Sequence, residues 1–569
     1  MMKRHGISLI LLIILVILLI LKLHLSFTRQ FDPDEFAYLH WTYLITEGKL
    51  PYKDFFFIIS PTFLQFLSPL FLISQSPAIA LVGRLVIFFL YLTTLAVLYL
   101  LTKKFTKHTL SAMLAMIIFI TFPMTFDKTI ELRPDILMTL LFFLGILILP
   151  PPGDTKKQFF RLLASGILWS LSFLVLFKII FAVPAILFLL LRQKKKIIAW
   201  RYLGAASIGA CIPLLGLFFY LSFHGLIPEF FTGVTTHAYI STVGSTVFSP
   251  IATLSPWPLI YVKTGGISFP WIINTLLWIC FLPSLLWFIY RLRHIGLWLL
   301  ILTAGAGIFI FLFPKPYVQY FIIPTYIASM TLSYGFVTFL TWIQKRTHTI
   351  IWSTVMLGLL IGALSYSFFL QIQSRESWQF QNEEQLEVLR DILKITTSHE
   401  PVYDMVGSYI YRPDSYYICC IPSYREFVKN VQEPMLPLQE SLIQTQTKFL
   451  VLDQKGYVFW TPEPADLSFI LSHYLPSAYK KIYSLGSTFR CENGSCIQYT
   501  LNEKPTSNTT HLIDIVIPET YRITITPPTQ TITVENKIYH HNEKILLKKG
   551  IYPFITSDNI SSFTIHLDR

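Results

Sequence analysis

The stretch FDPDEFAYLHW, residues 31–41, places three carboxylates within four positions directly after a run of Leu and Ile. Asp32 is a good helix N-cap, Pro33 suits the first helical position, and Glu35 at the third completes a capping box. An apolar stripe at helical spacing follows, which predicts a helix lying on a membrane surface. Capping therefore occupies Asp32 and Glu35 and leaves Asp34 as the carboxylate without a structural role.

The composition is that of a membrane protein, with 53% apolar residues, 14% charged residues and a mean hydropathy of +0.56. These values exclude an ordinary soluble enzyme. The first apolar run is too long for a cleaved signal peptide and lacks an Ala-x-Ala site, so we interpret it as an anchor. The apolar runs predict eleven spans, near residues 6–25, 78–101, 109–125, 135–151, 162–177, 179–192, 203–223, 270–290, 296–313, 321–342 and 349–369.

The net charge of +13 is unevenly distributed. Residues 1–369 carry 27 Lys and Arg against 10 Asp and Glu, whereas residues 370–569 carry 18 against 22. The basic excess lies in short alternate loops, so it reports topology rather than nucleic-acid binding. The pattern predicts a multi-pass protein of the plasma (cytoplasmic) membrane with a cytoplasmic N-terminus. Nine of the ten acids then lie on the outer side, as does the C-terminal region.

The C-terminal 200 residues have a different pattern. An amphipathic helix and short buried strands predict an extracytoplasmic α/β domain over 371–503, and alternating segments predict a small β-sandwich over 511–569. The fold class is therefore a mainly α-helical polytopic membrane protein, with a transmembrane module over 1–370 and two C-terminal domains. Cys491 and Cys496 flank a turn and predict a small disulfide, whereas the adjacent Cys419 and Cys420 are not expected to pair.

Further charged residues lie on or near the predicted outer face. The segment DKTIELRPDILM, residues 127–138, is a second acidic helix start, and a locally paired, capped helix explains it as well as a functional site does. Arg84 lies inside the second span, where snorkelling to the interface is an equal alternative. Lys178 lies between two apolar runs and Lys315 at the outer end of a late span. Charges inside apolar segments are expensive and favour a functional site.

Together these motifs resemble the GT-C glycosyltransferases that use polyprenyl-phosphate sugars, such as protein O-mannosyltransferases and aminoarabinose transferases. The resemblance covers most of residues 1–325. It rests on PDE at 33–35, GKLPYKDF at 48–55 with Ser60-Pro61, Arg84, RPD at 133–135, the Lys178 hairpin ending at Pro184, and PYVQYFIIP at 316–324. One position departs from the pattern, because Gln319 precedes Tyr320 where relatives often have His.

The resemblance implies inverting transfer of a sugar from a polyprenyl-phosphate donor to an acceptor hydroxyl of a glycan, lipid or protein. Asp34 would be the general base, with Glu35 and Asp135 as catalytic partners. Arg84, Lys178 and Lys315 would bind the donor phosphate. The predicted substrate-positioning residues are Asp54, Glu131, Arg133, Tyr317, Gln319 and Tyr320.

A metal cofactor and three alternative functions remain to be considered. A non-catalytic scaffold that presents the C-terminal region would leave Arg84, Lys178 and the two acidic helix starts unexplained. No His-rich cluster favours a metal, so a divalent cation, Mg²⁺ or Mn²⁺, would need carboxylate ligands alone. A lipid-linked-sugar flippase would spread charges along the midplane of several spans rather than on one face. An oligosaccharide transferase with a pyrophosphate-linked donor is the nearest enzymatic alternative, but the chain has no WW-type acceptor motif.

Overall fold

A helical region is followed by a strand-rich C-terminal region. The structure, a computed structural model, describes residues 2–73, 75–150, 156–192, 196–242, 268–312, 317–374, 381–420, 436–452, 464–492, 495–499, 511–557 and 559–568. Lys315, one of the predicted phosphate-binding residues, lies outside these ranges.

The helical region begins with a long apolar helix and the short helix that follows it. Its α-helices are α1 (Met2–Thr28), α2 (Pro33–Thr46), α3 (Thr62–Leu67), α4 (Leu70–Ile73), α5 (Ile79–Thr106), α6 (Thr109–Thr121), α7 (Pro134–Ile148), α8 (Lys156–Val175), α9 (Val183–Leu191), α10 (Lys196–Phe223), α11 (Ile227–Phe231), α12 (Ala238–Thr242), α13 (Phe269–Arg291), α14 (Arg293–Leu312), α15 (Ile322–Thr347) and α16 (Ile351–Ser374). Short 3₁₀ turns cover Pro123–Thr125, Phe177–Ala182 and Val318–Phe321, and a π turn covers Thr232–His237.

Eight helices in the described ranges are long and apolar enough to cross a membrane. They are Gly6–Thr28, Ile79–Thr106, Lys157–Val175, Ala199–Phe223, Phe269–Arg291, Arg293–Leu312, Val318–Thr347 and Ile351–Ser374. The other three predicted spans correspond to shorter apolar helices, Thr109–Thr121, Pro134–Ile148 and Phe177–Leu191. The chain is therefore a multi-pass membrane protein, and the count of eleven spans stays a prediction.

A close approach of α5 to the segment before α7 positions the charged residues. Gly83 in α5 lies directly under Leu132, since a Cβ on Gly83 would come within 2.1 Å of Leu132 Cδ1. The next residue, Arg84, is thereby held beside that segment. A larger residue at position 83 would push the two elements apart.

The C-terminal region contains three further helices, α17 (Glu383–Ile395), α18 (Leu438–Gln444) and α19 (Pro464–His473). Its strands are β1 (Val402–Tyr403), β2 (Phe449–Val451), β3 (Tyr474–Pro476), β4 (Ile482–Glu492), β5 (Ser495–Tyr499), β6 (Leu512–Ile515), β7 (Glu519–Thr526), β8 (Ile532–Val534), β9 (Lys537–Tyr539), β10 (Lys544–Leu547), β11 (Gly550–Thr556) and β12 (Ser562–Leu567). The predicted amphipathic helix and short strands are confirmed.

Two sheets organise these strands. One has the order β1-β2-β4-β12-β7-β10, with β3 and β5 also pairing with β4, and the other has the order β6-β11-β8-β9. Because β4 pairs with β12, with Phe489 opposite Phe563, a single sheet joins the two predicted C-terminal domains. Their division at residues 504–510 lies outside the described residues and stays a prediction.

The cysteine predictions have different outcomes. Cys491 and Cys496 face each other across β4 and β5 and are bonded, as predicted. Cys419 and Cys420, which were not expected to pair, are also bonded. The expectation assumed ordinary extended or helical backbone at both cysteines. Cys420 instead has a positive φ of 73°, so the backbone here is neither extended nor helical.

The C-terminal region contacts α2 through a buried histidine. His40 Nδ1 lies 2.9 Å from the carbonyl of Ile410, and its Nε2 lies 2.8 Å from Asp414 Oδ1. Gly407 passes close by with a φ of 71°, and a Cβ there would approach His40 Cβ to 3.0 Å. Burial lowers the pKa of His40, but the Asp414 carboxylate more than offsets this and the pKa is raised. The helix that begins with the three carboxylates is thus also held at its middle by the C-terminal region.

Candidate functional site

The start of α2 has the predicted capping box. The Asp32 side chain accepts a hydrogen bond from the Asp34 amide at 3.2 Å, and the Glu35 side chain accepts one from the Asp32 amide at 2.8 Å. Pro33 occupies the first helical position. The spacing of these residues alone therefore gave the local structure correctly.

Glu35 also forms a buried ion pair with Arg84. Arg84 Nε and Nη2 donate to the two carboxylate oxygens at 2.8 and 2.6 Å, and the Leu132 amide donates to Oε1 at 2.9 Å. The remaining N–H groups of Arg84 donate to the carbonyls of Ser26, Arg29 and Gln30. Each of the five N–H groups of the guanidinium is thus used. The structure gives Arg84 a structural position rather than the phosphate-facing one that the sequence suggested.

Glu131 is the centre of a second, larger group of ion pairs. Its fully buried carboxylate accepts hydrogen bonds from Lys128 at 2.8 Å and Arg133 at 2.7 Å, and it forms an ion pair with Arg29 Nη1 at 2.8 Å. Burial alone would raise the pKa of Glu131, but Lys128 and Arg29 hold it below its usual range. A carboxylate surrounded by three cations is a structural anchor, which argues against direct substrate contact by Glu131.

Asp34 is the most accessible carboxylate in these ion pairs. Its side chain is 32% exposed, against 20% for Asp32 and 0% for Glu131. Arg133 Nη2 lies 2.6 Å from Asp34 Oδ2 and also 2.9 Å from Asp32 Oδ1. Burial is the main cause that raises the pKa of Asp34, with Arg133 opposing it, whereas Lys128 and Arg133 hold the pKa of Asp32 well below its usual range.

Asp135 and Lys178 form a separate pair next to these residues. Asp135 lies in the first turn of α7, and Lys178 Nζ donates to its Oδ1. The same ammonium lies 4.6 Å from the centre of the Tyr320 ring. Three elements that are distant in sequence, at residues 135, 178 and 320, therefore meet at one point.

The other predicted positioning residues are more dispersed. Asp54 is exposed and accepts from the Leu50 amide at 2.7 Å, which closes a local turn. The Tyr317 ring lies 5.8 Å from the Tyr320 ring. Gln319 lies in the same 3₁₀ turn as Tyr320, and its Oε1 is buried without a hydrogen-bond partner in the described part of the chain.

The carboxylates in this region are paired with cations of the protein. Among the described residues, no group of three or more His, Cys, Asp or Glu side chains could hold a metal ion. The cations that pair with these carboxylates are Arg29, Lys128, Arg133 and Lys178.

Three cations of the site were not identified from the sequence as functional or structural. Arg29 and Lys128 bind Glu131, and Lys22 in α1 donates to the carbonyl of Phe126. Lys22 is fully buried within the first apolar helix, so its charge inside a span was an available signal. Arg29 and Lys128 lie in loops, where a basic residue carries no such signal.

The fold and this charged site define the class of the chain, a multi-pass membrane protein with a GT-C fold. Residues 66–216 match the sequence model of the dolichyl-phosphate-mannose-protein mannosyltransferase family. No curated protein sequence matches the chain.

Solved structures give the particular relatives. ArnT from Cupriavidus metallidurans bound to undecaprenyl phosphate superposes with a TM-score of 0.57 at 13% identity, over 84% of this chain and 98% of that chain. Its apo state gives 0.57 at 12% identity, over 85% and 98%. The archaeal oligosaccharyltransferase AglB from Archaeoglobus fulgidus gives only 0.48 at 13% identity, over 88% and 75%. The resemblance predicted from the sequence is thus confirmed, in fold by ArnT and in sequence over residues 66–216.

Proposed function

We propose that the chain transfers a sugar from a polyprenyl-phosphate donor to an acceptor hydroxyl on the extracytoplasmic face, with inversion at the anomeric carbon. Three findings support this proposal. The name of the family matched over residues 66–216 contains a lipid-phosphate-linked sugar, dolichyl-phosphate-mannose. The similar structure of ArnT was solved with undecaprenyl phosphate bound. The charged site lies at the predicted outer ends of the helices.

The observation that carries the proposal is the contrast between Asp34 and its neighbours. Asp32, Glu35 and Glu131 are enclosed by cations and backbone amides, whereas Asp34 keeps a third of its side chain accessible. Arg133 orients one carboxylate oxygen and leaves the other for a hydroxyl proton. A raised pKa makes Asp34 a stronger base than a carboxylate at a helix N-terminus would otherwise be.

The reaction step follows from these groups. The acceptor oxygen attacks the anomeric carbon from the side opposite the phosphate, and Asp34 takes the hydroxyl proton. The bond between the anomeric carbon and the phosphate oxygen breaks, and the polyprenyl phosphate leaves with the electron pair. This leaving group needs charge stabilisation rather than a proton, which separates the reaction from glycoside hydrolysis.

Lys178 is the proposed phosphate contact. Its ammonium has three N–H donors, and the Asp135 pair uses one of them. Two donors remain for phosphate oxygens, with Tyr320 alongside. Asp135 then orients Lys178, and Arg133 orients Asp34. Lys315 stays a proposed third cation, whereas Arg84 leaves the phosphate set because its N–H groups are used.

Mass spectrometry of glycans and lipids in a strain that lacks the gene tests this function. One sugar modification is expected to disappear and to return with the wild-type gene but not with Asp34→Asn. Restoration by Asp34→Asn at wild-type protein levels would overturn the role of Asp34, and an unchanged set of glycans and glycolipids would overturn the function itself.

A further inference from the structure

Several buried polar atoms that have no hydrogen-bond partner among the described residues lie on three elements that pack on one another, one of which carries Tyr320. Asn274 in α13 is fully buried, and neither its amide nitrogen nor its amide oxygen has a hydrogen-bond partner among the described residues. The same holds for Thr125 Oγ1, Trp278 Nε1 and Gln319 Oε1. We refer to Thr125, Asn274, Trp278 and Gln319 as the amide cluster.

Ring contacts bring the elements of this cluster together. The Trp278 ring lies 5.2 Å from Phe122, which precedes the 3₁₀ turn Pro123–Thr125, and 6.1 Å from Phe321, which ends the 3₁₀ turn Val318–Phe321. Asn274 lies one helical turn before Trp278, on the inward stripe of α13. The two 3₁₀ turns also pack directly on each other. The cluster is therefore one region formed by three elements.

An isolated amide in this position is expensive. A buried polar group without a partner destabilises the folded protein, and Asn274 contributes two such atoms. Buried polar groups in folded proteins nearly always have a partner in the protein, in ordered water or in a ligand. The stripe on which Asn274 lies otherwise carries Leu277, Phe281 and Leu285, so an apolar side chain would fit the packing better.

The chemistry of the cluster favours a neutral, hydroxyl-bearing ligand. It offers amide and indole N–H donors, amide oxygen acceptors and a hydroxyl, and none of these groups is charged. The Trp278 ring provides a flat apolar face beside them. A phosphate would instead select the cations, and Lys178 lies against Tyr320 in the same 3₁₀ turn that carries Gln319.

We propose that the amide cluster binds the sugar ring of the donor while Lys178 binds its phosphate. This inference rests on the proposed function and extends it to substrate recognition. The short turn Val318–Phe321 then contributes to both contacts, through Tyr320 beside Lys178 and through Gln319 in the amide cluster. Neutral recognition of this kind selects a sugar by its hydroxyl pattern, which the phosphate contact cannot do.

The test compares bare polyprenyl phosphate with the same lipid carrying a hexose or a pentose, using the full-length protein in detergent. Asn274→Leu is expected to keep or raise the unfolding temperature without ligand, because it removes an unpaired buried amide. Binding of the bare lipid phosphate stays unchanged. The additional affinity given by the sugar falls about tenfold, the equivalent of one or two lost hydrogen bonds.

Trp278→Phe and Trp298→Phe form a matched pair. Both remove a buried indole N–H that has no partner in the described residues, but Trp298 contacts Phe105 at the opposite end of α5 from Arg84. Only Trp278→Phe is expected to weaken the sugar contribution. Thr125→Val is the second test should Asn274→Leu fail to fold.

The outcomes are distinct. The inference is overturned if the sugar still adds affinity in Asn274→Leu, or if no sugar tested adds affinity in the wild type. In both cases the proposed function stands as long as the wild type binds the bare lipid phosphate. A lower unfolding temperature of Asn274→Leu with an unchanged sugar contribution assigns the amide to structural water and also overturns it. Failure of the wild type to bind bare polyprenyl phosphate counts against the proposed function instead.

Discussion

Arg84→Met is expected to destabilise the protein without weakening contact to the donor phosphate. The substitution leaves the buried Glu35 carboxylate without its cation, which costs about 3–5 kcal/mol. The carbonyls of Ser26, Arg29 and Gln30 lose their donors, at about 1 kcal/mol each. The sum, about 6–8 kcal/mol, corresponds to a fall of roughly 5–7 °C in the unfolding temperature of a chain of 569 residues, at about 2.1 cal/mol/K of unfolding entropy per residue.

Thermal unfolding of the purified protein in detergent measures this loss, and titration with polyprenyl phosphate below the unfolding range measures donor contact. Glu35→Met is the matched single variant, since it leaves Arg84 buried and unpaired. The double variant is expected to be less destabilised than the sum of the two single variants, because no unpaired charge remains. An Arg84→Met protein with wild-type unfolding and clearly weaker binding of polyprenyl phosphate would refute this reasoning and restore Arg84 as a phosphate ligand.

Three further predictions concern charged groups around the site. Lys178→Met is expected to raise the donor concentration needed for half-maximal rate about tenfold or more, since a hydrogen bond to a charged phosphate contributes about 1.5–3 kcal/mol. An unchanged dependence of the rate on donor concentration would reject the contact. The stabilising His40–Asp414 pair needs a protonated His40, whose pKa is raised in the folded state. The difference in unfolding temperature between wild type and His40→Gln is therefore expected to be largest below about pH 6.5 and to decrease as pH rises through the raised pKa. A difference that increases with pH would contradict this. Because Asp34 acts deprotonated and its pKa is raised, the acid-side loss of transfer rate is expected at a higher pH than an ordinary aspartate with a pKa near 3.8 would give, which a pH–rate profile measures.

Local features of the site could be predicted from the sequence. The capping box at Asp32 and Glu35 depends only on residues three positions apart, so spacing was sufficient. The 3.6-residue and two-residue periods likewise predicted the long apolar helices, α17 and half of the C-terminal strands in the described residues. Short spans were harder to delimit, because Pro123 ends α6 at Thr121 while the apolar composition continues.

The partners of the charged residues could not be predicted in the same way. Arg84 is 49 positions from Glu35, and Arg133 is 101 positions from Asp32. Which acid an arginine reaches depends on the close packing of α5 against Leu132, where Gly83 allows the contact. Sequence reasoning therefore found Arg84 as an unusual charge but did not predict its pairing with Glu35. For the three carboxylates at the start of α2, the capping roles of Asp32 and Glu35 are confirmed because capping is local, and the role of Asp34 as the base stays a proposal.

The central claim is that Asp34 removes the acceptor proton during sugar transfer. The most direct measurement is the release of polyprenyl phosphate from a polyprenyl-phosphate sugar by purified protein in the presence of acceptor, with wild type, Asp34→Asn and Glu47→Gln compared. Glu47→Gln changes a carboxylate to an amide at the far, exposed end of the same helix, and its rate is expected to match the wild type. Asp34→Asn is expected to lower the rate by about 10²–10⁴-fold at an unchanged unfolding temperature, the contribution of a general base. A rate for Asp34→Asn within a few-fold of wild type would contradict the account.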